Sequence, residues 1–195
     1  MYFHEPFMST TDNIMKVQRA MMGIKYSVFI EKNQNLYTAS AAPLITIITP
    51  KLTIKDSNGV KVATLKSSIL QTKWKLTLES GESAVINVPL IAFGGIHFSI
   101  DVGGKDYKAP HVRWDFTPVD TEGKAAFTLN KMLTEYLRHT FHVMPQALDN
   151  PLYAIATAMV LDFRYYRGSL SSNNFFKVFR NSKPTRRAYR RYRNL

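Results

Sequence analysis

Five histidines, fourteen acidic residues and no cysteine are what this 195-residue chain has for chemistry. Their spacing offers little to catalysis. His139-Thr140-Phe141-His142 has the i, i+3 spacing of paired metal ligands on a helix, but on a strand those two side chains face opposite sides. With no cysteine and no H-E-x-x-H pattern, neither a metal site nor a cofactor is expected. Thiol catalysis, disulfides and palmitoylation are excluded outright. Asp115, Asp120 and Glu122 are carboxylates close in sequence. Two of them fall in a turn-forming stretch, which suits solvated turn residues better than an acid–base pair. Gly94-Gly95 and Gly103-Gly104 lack the following helix and the Lys-Ser/Thr of a phosphate loop, so they read as hairpin turns. No catalytic residue and no small-molecule substrate are expected. The reading is non-enzymatic.

Binding chemistry is concentrated at the C-terminus. The net charge is +12, yet ten of the 26 basic residues and none of the 14 acidic ones follow Asp162. Arg180, Lys183, Arg186, Arg187, Arg190, Arg191 and Arg193 are interleaved with Tyr189 and Tyr192. Arginine grips phosphate through a planar fork, and tyrosine offers a stacking face to unpaired bases. RNA, DNA or an acidic protein surface is the expected partner. An arm neutralising about six duplex phosphates loses ~10³-fold or more in affinity between ~50 and ~200 mM salt. A solvated tail or a localisation signal is the bland alternative. Phe175, Phe176, Val178 and Phe179 form an apolar cluster before the arginines, suited to docking on the body or on a neighbouring subunit.

The elements that must hold this arm are strands and one helix. Trp74, Leu76 and Leu78 alternate with Lys73, Lys75 and Thr77, and Val112, Trp114 and Phe116 alternate with Arg113, Asp115 and Thr117. That period of two marks strands with one buried face. Asp56-Ser57-Asn58-Gly59, Ser80-Gly81-Glu82, Gly103-Gly104 and Asp120-Thr121-Glu122-Gly123 punctuate the runs as hairpin turns. Lys131 to Leu137 fits either period and is read as a strand. Ser83 to Ile100 is long and uncharged but contains Pro89, Gly94 and Gly95, so two strands about a turn fit better than a membrane span.

Asn150 to Phe163, NPLYAIATAMVLDF, is helix-like and apolar on every side. Asp149 or Asn150 can cap its start, and Pro151 suits the first helical position. Alanines at 154, 156 and 158 keep the rod thin. With no polar face, it has no side to give to water. At ~1.5 Å per residue it is too short for a ~30 Å bilayer core. The protein itself must therefore wrap it, which predicts a closed antiparallel β-barrel filled by its own C-terminal helix. Arg164 and Arg167 suit the helix end electrostatically, and Gly168 is a plausible stop.

Strand-rich sequence leading into such a helix resembles the tubby C-terminal-like superfamily. KLTIKDSNGVKVATLKSSILQTKWKLTLESGE, residues 51–82, is similar to its LURP-one-related branch, and RHTFHVMPQALDNPLYAIATAMVLD, residues 138–162, to the closing strand and central helix. The resemblance covers residues 17–163 and implies about twelve strands around the helix. Members include phosphoinositide-binding tubby proteins, phospholipid scramblases, and plant and bacterial proteins of unclear role. No tubby phosphoinositide residue carries over onto this sequence, and the scramblase cysteine-rich segment has no counterpart. Fold likeness does not transfer lipid function.

The organisation expected is an N-terminal extension (1–16), a filled barrel (17–163) and a basic arm (164–195). MYFHEPFMSTTDN lacks a basic start and apolar core, so no secretory signal is expected, and the protein reads as soluble or assembly-bound inside the cell. The leading functional reading is a structural or adaptor subunit of a large assembly, ribonucleoprotein or virion-like. The alternative is a peripheral module on anionic phospholipid or phosphoinositide headgroups.

Overall fold

The computed structural model describes residues 14–20, 24–30, 34–41, 49–89, 97–109, 115–131, 140–148 and 150–166. Among the described residues, twelve strands precede one α-helix: β1 Met15–Arg19, β2 Lys25–Phe29, β3 Asn35–Ala41, β4 Lys51–Asp56, β5 Lys61–Ser67, β6 Lys73–Leu78, β7 Ser83–Asn87, β8 Phe98–Val102, β9 Lys105–Ala109, β10 Asp115–Phe116, β11 Phe127–Lys131, β12 Thr140–Pro145, then α1 Leu152–Leu161. The strands form one sheet in the order β10-β11-β12-β1-β2-β3-β4-β5-β6-β7-β8-β9. Every neighbouring pair is antiparallel.

Turn chemistry does much of this locally. The Asp56 carboxylate accepts the N–H groups of Asn58 and Val60, each at 2.9 Å, and so reverses the chain between β4 and β5. Gly103 and Gly104 link β8 to β9 with φ of 60° and 85°. A two-residue hairpin of type I′ needs both central residues at positive φ, which glycine enters without steric cost.

The alternation then sorts side chains by face. On β6, Trp74, Leu76 and Leu78 are buried while Lys73, Lys75 and Thr77 are exposed. The same pattern buries Leu52 and Ile54 on β4 and Ala63 and Leu65 on β5. All these inner residues join one core with the helix.

Every residue of α1 is buried. The helix packs against β1, β11 and β12 and also against β6 and β7, which stand on the far side of the strand order. The sheet therefore curls round it. Asn150 starts the helix by accepting the Leu152 N–H at 3.0 Å through its side-chain oxygen. The two polar side chains within the rod are both satisfied. Thr157 donates to the Tyr153 carbonyl at 2.8 Å, and Tyr153 donates to Glu82 at 3.1 Å beside the β6–β7 turn. The end differs from the sequence expectation. Regular α-helix stops at Leu161, and Asp162–Tyr166 continue as a wider π turn.

At the two ends of the order, β9 and β10 share no ladder. The chain just beyond β10 meets β9 at one bridge, where Lys108 and Val119 exchange backbone hydrogen bonds of 2.8 and 3.0 Å. Among the described residues, no helix is long and apolar enough to cross a membrane.

Candidate anion-binding face

Arg180, Lys183, Arg186, Arg187, Tyr189, Arg190, Arg191, Tyr192 and Arg193 lie outside the described residues, as do Phe175, Phe176, Val178 and Phe179. So do Gly94, Gly95, His139 and residues 132–137. The described part of the molecule carries a second cationic feature, assembled by strand register.

Lys51 of β4 stands directly opposite Lys66 of β5, and Lys66 directly opposite Lys75 of β6. All three are exposed on the outer face, with Lys73 two positions along β6 on the same side. Directly opposed side chains have Cβ atoms about 4.5–5.5 Å apart, and like charges so placed destabilise a sheet. Elsewhere on this face the chain does compensate: Lys61 pairs with Glu79 at 2.6 Å. No described carboxylate pairs with Lys51, Lys66 or Lys75. Residues 57–78, spanning all of β5 and β6, contain no acidic residue. The next row of the same face is Ser40, Thr53, Thr64, Thr77 and Ser83, a band of hydroxyls in register across five strands. Ammonium groups beside hydroxyl donors are what phosphate or carboxylate oxygens bind.

The remaining acidic residues near the core serve the fold. Asp120, one of the turn carboxylates, is 1 % exposed and pairs with Lys105 at 2.7 Å. It also accepts the N–H groups of Glu122 and Lys124 at 3.0 and 2.8 Å. The hydrogen bond from Lys105 holds its carboxyl below the ordinary range against burial, which opposes. Asp162 is fully buried, with Arg19 at 3.2 Å and the Tyr26 hydroxyl donating at 3.1 Å. Both carboxylates are buried against a cationic partner. Among the described residues, no three His, Cys, Asp or Glu side chains are grouped to hold a metal ion.

Sequence reading missed the lysine row. The alternation of Lys73 and Lys75 with Trp74 and Leu76 is legible and places both lysines outward. Lateral alignment with Lys66 and Lys51 depends on the lengths of two hairpin connections, and a one-residue slip sends a strand's lysines inward.

The chain matches no protein-family model and no curated protein. Among solved structures it is similar to an X-ray structure of a protein from Arabidopsis thaliana, at 8 % identity and a TM-score of 0.45, over 78 % of this chain and 93 % of that one.

Proposed function

We propose that this chain is a non-enzymatic docking module: a filled barrel that presents a cationic outer face, extended by the basic C-terminal segment, to a polyanionic surface in a larger assembly. The observation that carries it is the in-register row Lys51–Lys66–Lys75. Three opposed ammonium groups cost the free protein stability, and an anionic partner removes that cost on binding. Closure of the barrel, and with it a tubby-like, LURP-one-like architecture, is part of the reading. It is supported by a helix apolar on all sides that touches strands from both halves of the sheet order, and by the Lys108–Val119 bridge. A helix filling the interior leaves the outer face as the place to bind.

Elution from immobilised heparin across a salt series tests it, using the full chain. Lys51→Gln/Lys66→Gln/Lys75→Gln should elute at clearly lower salt, since each lost contact lowers the salt slope by about one. Lys66→Gln alone relieves both opposed pairs and should raise stability by about 0.2–1 kcal/mol per pair. Deleting residues 180–195 separately measures the share of the C-terminal segment and should leave the melting temperature nearly unchanged. Unaltered elution of the triple variant would refute the face.

A further inference from the structure

We infer that the tip of the β5–β6 hairpin inserts into an anionic bilayer, with Ile69 and Leu70 entering the headgroup boundary and the lysine row meeting the lipid phosphates. The inference rests on the cationic-face reading and names its partner.

Large exposed apolar side chains are few among the described residues: Val60, Ile69 at 72 % and Leu70 at 66 %. Val60 belongs to the β4–β5 turn at the other end of β5. Ile69 and Leu70 are adjacent in the turn between β5 and β6. A single exposed aliphatic residue means nothing; two side by side in one hydrogen-bonded turn are a different matter.

The turn is closed from several directions. Ser68 N–H donates to the Lys73 carbonyl at 2.7 Å, and Gln71 N–H to the Ser68 carbonyl at 2.9 Å. The Ser68 hydroxyl oxygen accepts the Lys73 N–H at 3.2 Å. Trp74 Nε1 donates to the Gln71 carbonyl at 3.1 Å, while its ring meets Phe163 edge-on at 5.1 Å. Gln71 is held at φ 55°, an uncommon conformation for a residue with a side chain. A tip so constrained displays its two apolar side chains without further ordering on binding.

Charge surrounds it with one sign. Lys66 and Lys73 flank the turn within three residues, and Lys51 and Lys75 extend the row. The Trp74–Phe163 contact also places the C-terminal end of the helix beside this hairpin. Apolar insertion and attraction to anionic headgroups add in one geometry.

Other anionic partners use the lysines but not the tip. Aliphatic side chains neither stack on bases nor contact phosphate usefully. A protein partner needs roughly 1,200 Å² or more of buried surface, far beyond what two side chains at a turn supply. A bilayer accepts a point.

The test is co-sedimentation of the full chain with phosphatidylcholine vesicles, with and without phosphatidylserine, alongside heparin elution. Wild-type protein should bind only the phosphatidylserine vesicles. Ile69→Ser/Leu70→Ser should lose roughly tenfold or more per side chain in vesicle partitioning with unchanged heparin elution and melting temperature. The triple lysine variant should lose both. Leu70→Trp should show blue-shifted emission on phosphatidylserine vesicles and quenching by brominated acyl chains. If the serine variant binds vesicles like wild type, or Leu70→Trp is not quenched, insertion is overturned while the cationic face stands. Binding to an RNA or DNA oligonucleotide but not to vesicles overturns the inference in the same way. A wild-type chain that binds neither vesicles nor heparin overturns both readings.

Discussion

Replacing Asp162 by Asn should destabilise the protein more than its modest change in shape suggests. The carboxylate is 0 % exposed, and Arg19 at 3.2 Å is 10 % exposed. It stands at the C-terminal end of α1, where the helix dipole is negative and a second negative charge is unwelcome. Arg19 makes the site tenable, and the Tyr26 hydroxyl donates a further hydrogen bond at 3.1 Å. Asparagine keeps an acceptor for Tyr26 but leaves the guanidinium facing a neutral group. Removing one partner of a buried pair costs about 3–5 kcal/mol, and the slight exposure of Arg19 points to about 3. For a chain of this size that is a fall of roughly 6–12 °C in melting temperature. Urea unfolding of wild type, Asp162→Asn, Arg19→Met and the double variant completes a cycle. The double variant should recover most of the loss, because no charge is then left without its counterion. A single-variant cost under about 1 kcal/mol, or strict additivity in the double, would refute the reasoning.

Two further tests use pH. Burial pushes the Tyr165 hydroxyl up to about 12, opposed by the Arg164 charge. A folded pKa above the unfolded value of ~10 leaves stability intact below pH ~10 and erodes it as pH rises toward the folded value. Tyr165→Phe should flatten that alkaline limb and remove the late step in a phenolate absorbance titration; an unchanged titration would contradict the assignment. For Asp120 the sign is opposite. Lys105 depresses its folded pKa, so the stabilisation is present above the unfolded carboxylate value of ~4 and disappears as pH falls below it. Asp120→Asn should be less stable at neutral pH and show a shallower acid limb in urea midpoints, and an acid limb as steep as wild type would count against the pair.

The described elements show why some of this was legible in the sequence and some was not. Trp74, Leu76 and Leu78 sort to the inner face because the side-chain period of a strand is two. The turns at Asp56 and Gly103-Gly104 form where their own side chains and φ freedom allow. The helix at 152–161 is recognisable because nothing in it seeks water. These are local properties, set by residues a few positions apart. The buried place of Asp162 was not legible, since its partners Arg19 and Tyr26 lie more than 130 positions away along the chain. The acid at 162 reads in sequence as the last charge of a neutral body; in the structure it is the buried counterion of the first strand.

Sequence alone determined that Trp74, Leu76 and Leu78 face inward, that the chain reverses at Asp56 and at Gly103-Gly104, that the helix must be enclosed, and that all charge beyond Asp162 is positive. Tertiary structure decided what the outward lysines do together. Lys51, Lys66 and Lys75 are ordinary solvated residues along the chain and become one row of opposed charges only when β4, β5 and β6 take their register. It also set Ile69 and Leu70 at the point of a braced turn within that charge. Periodicity is a property of one strand, whereas a binding face is a property of several, and lateral alignment is fixed by hydrogen bonds between strands that no single segment encodes.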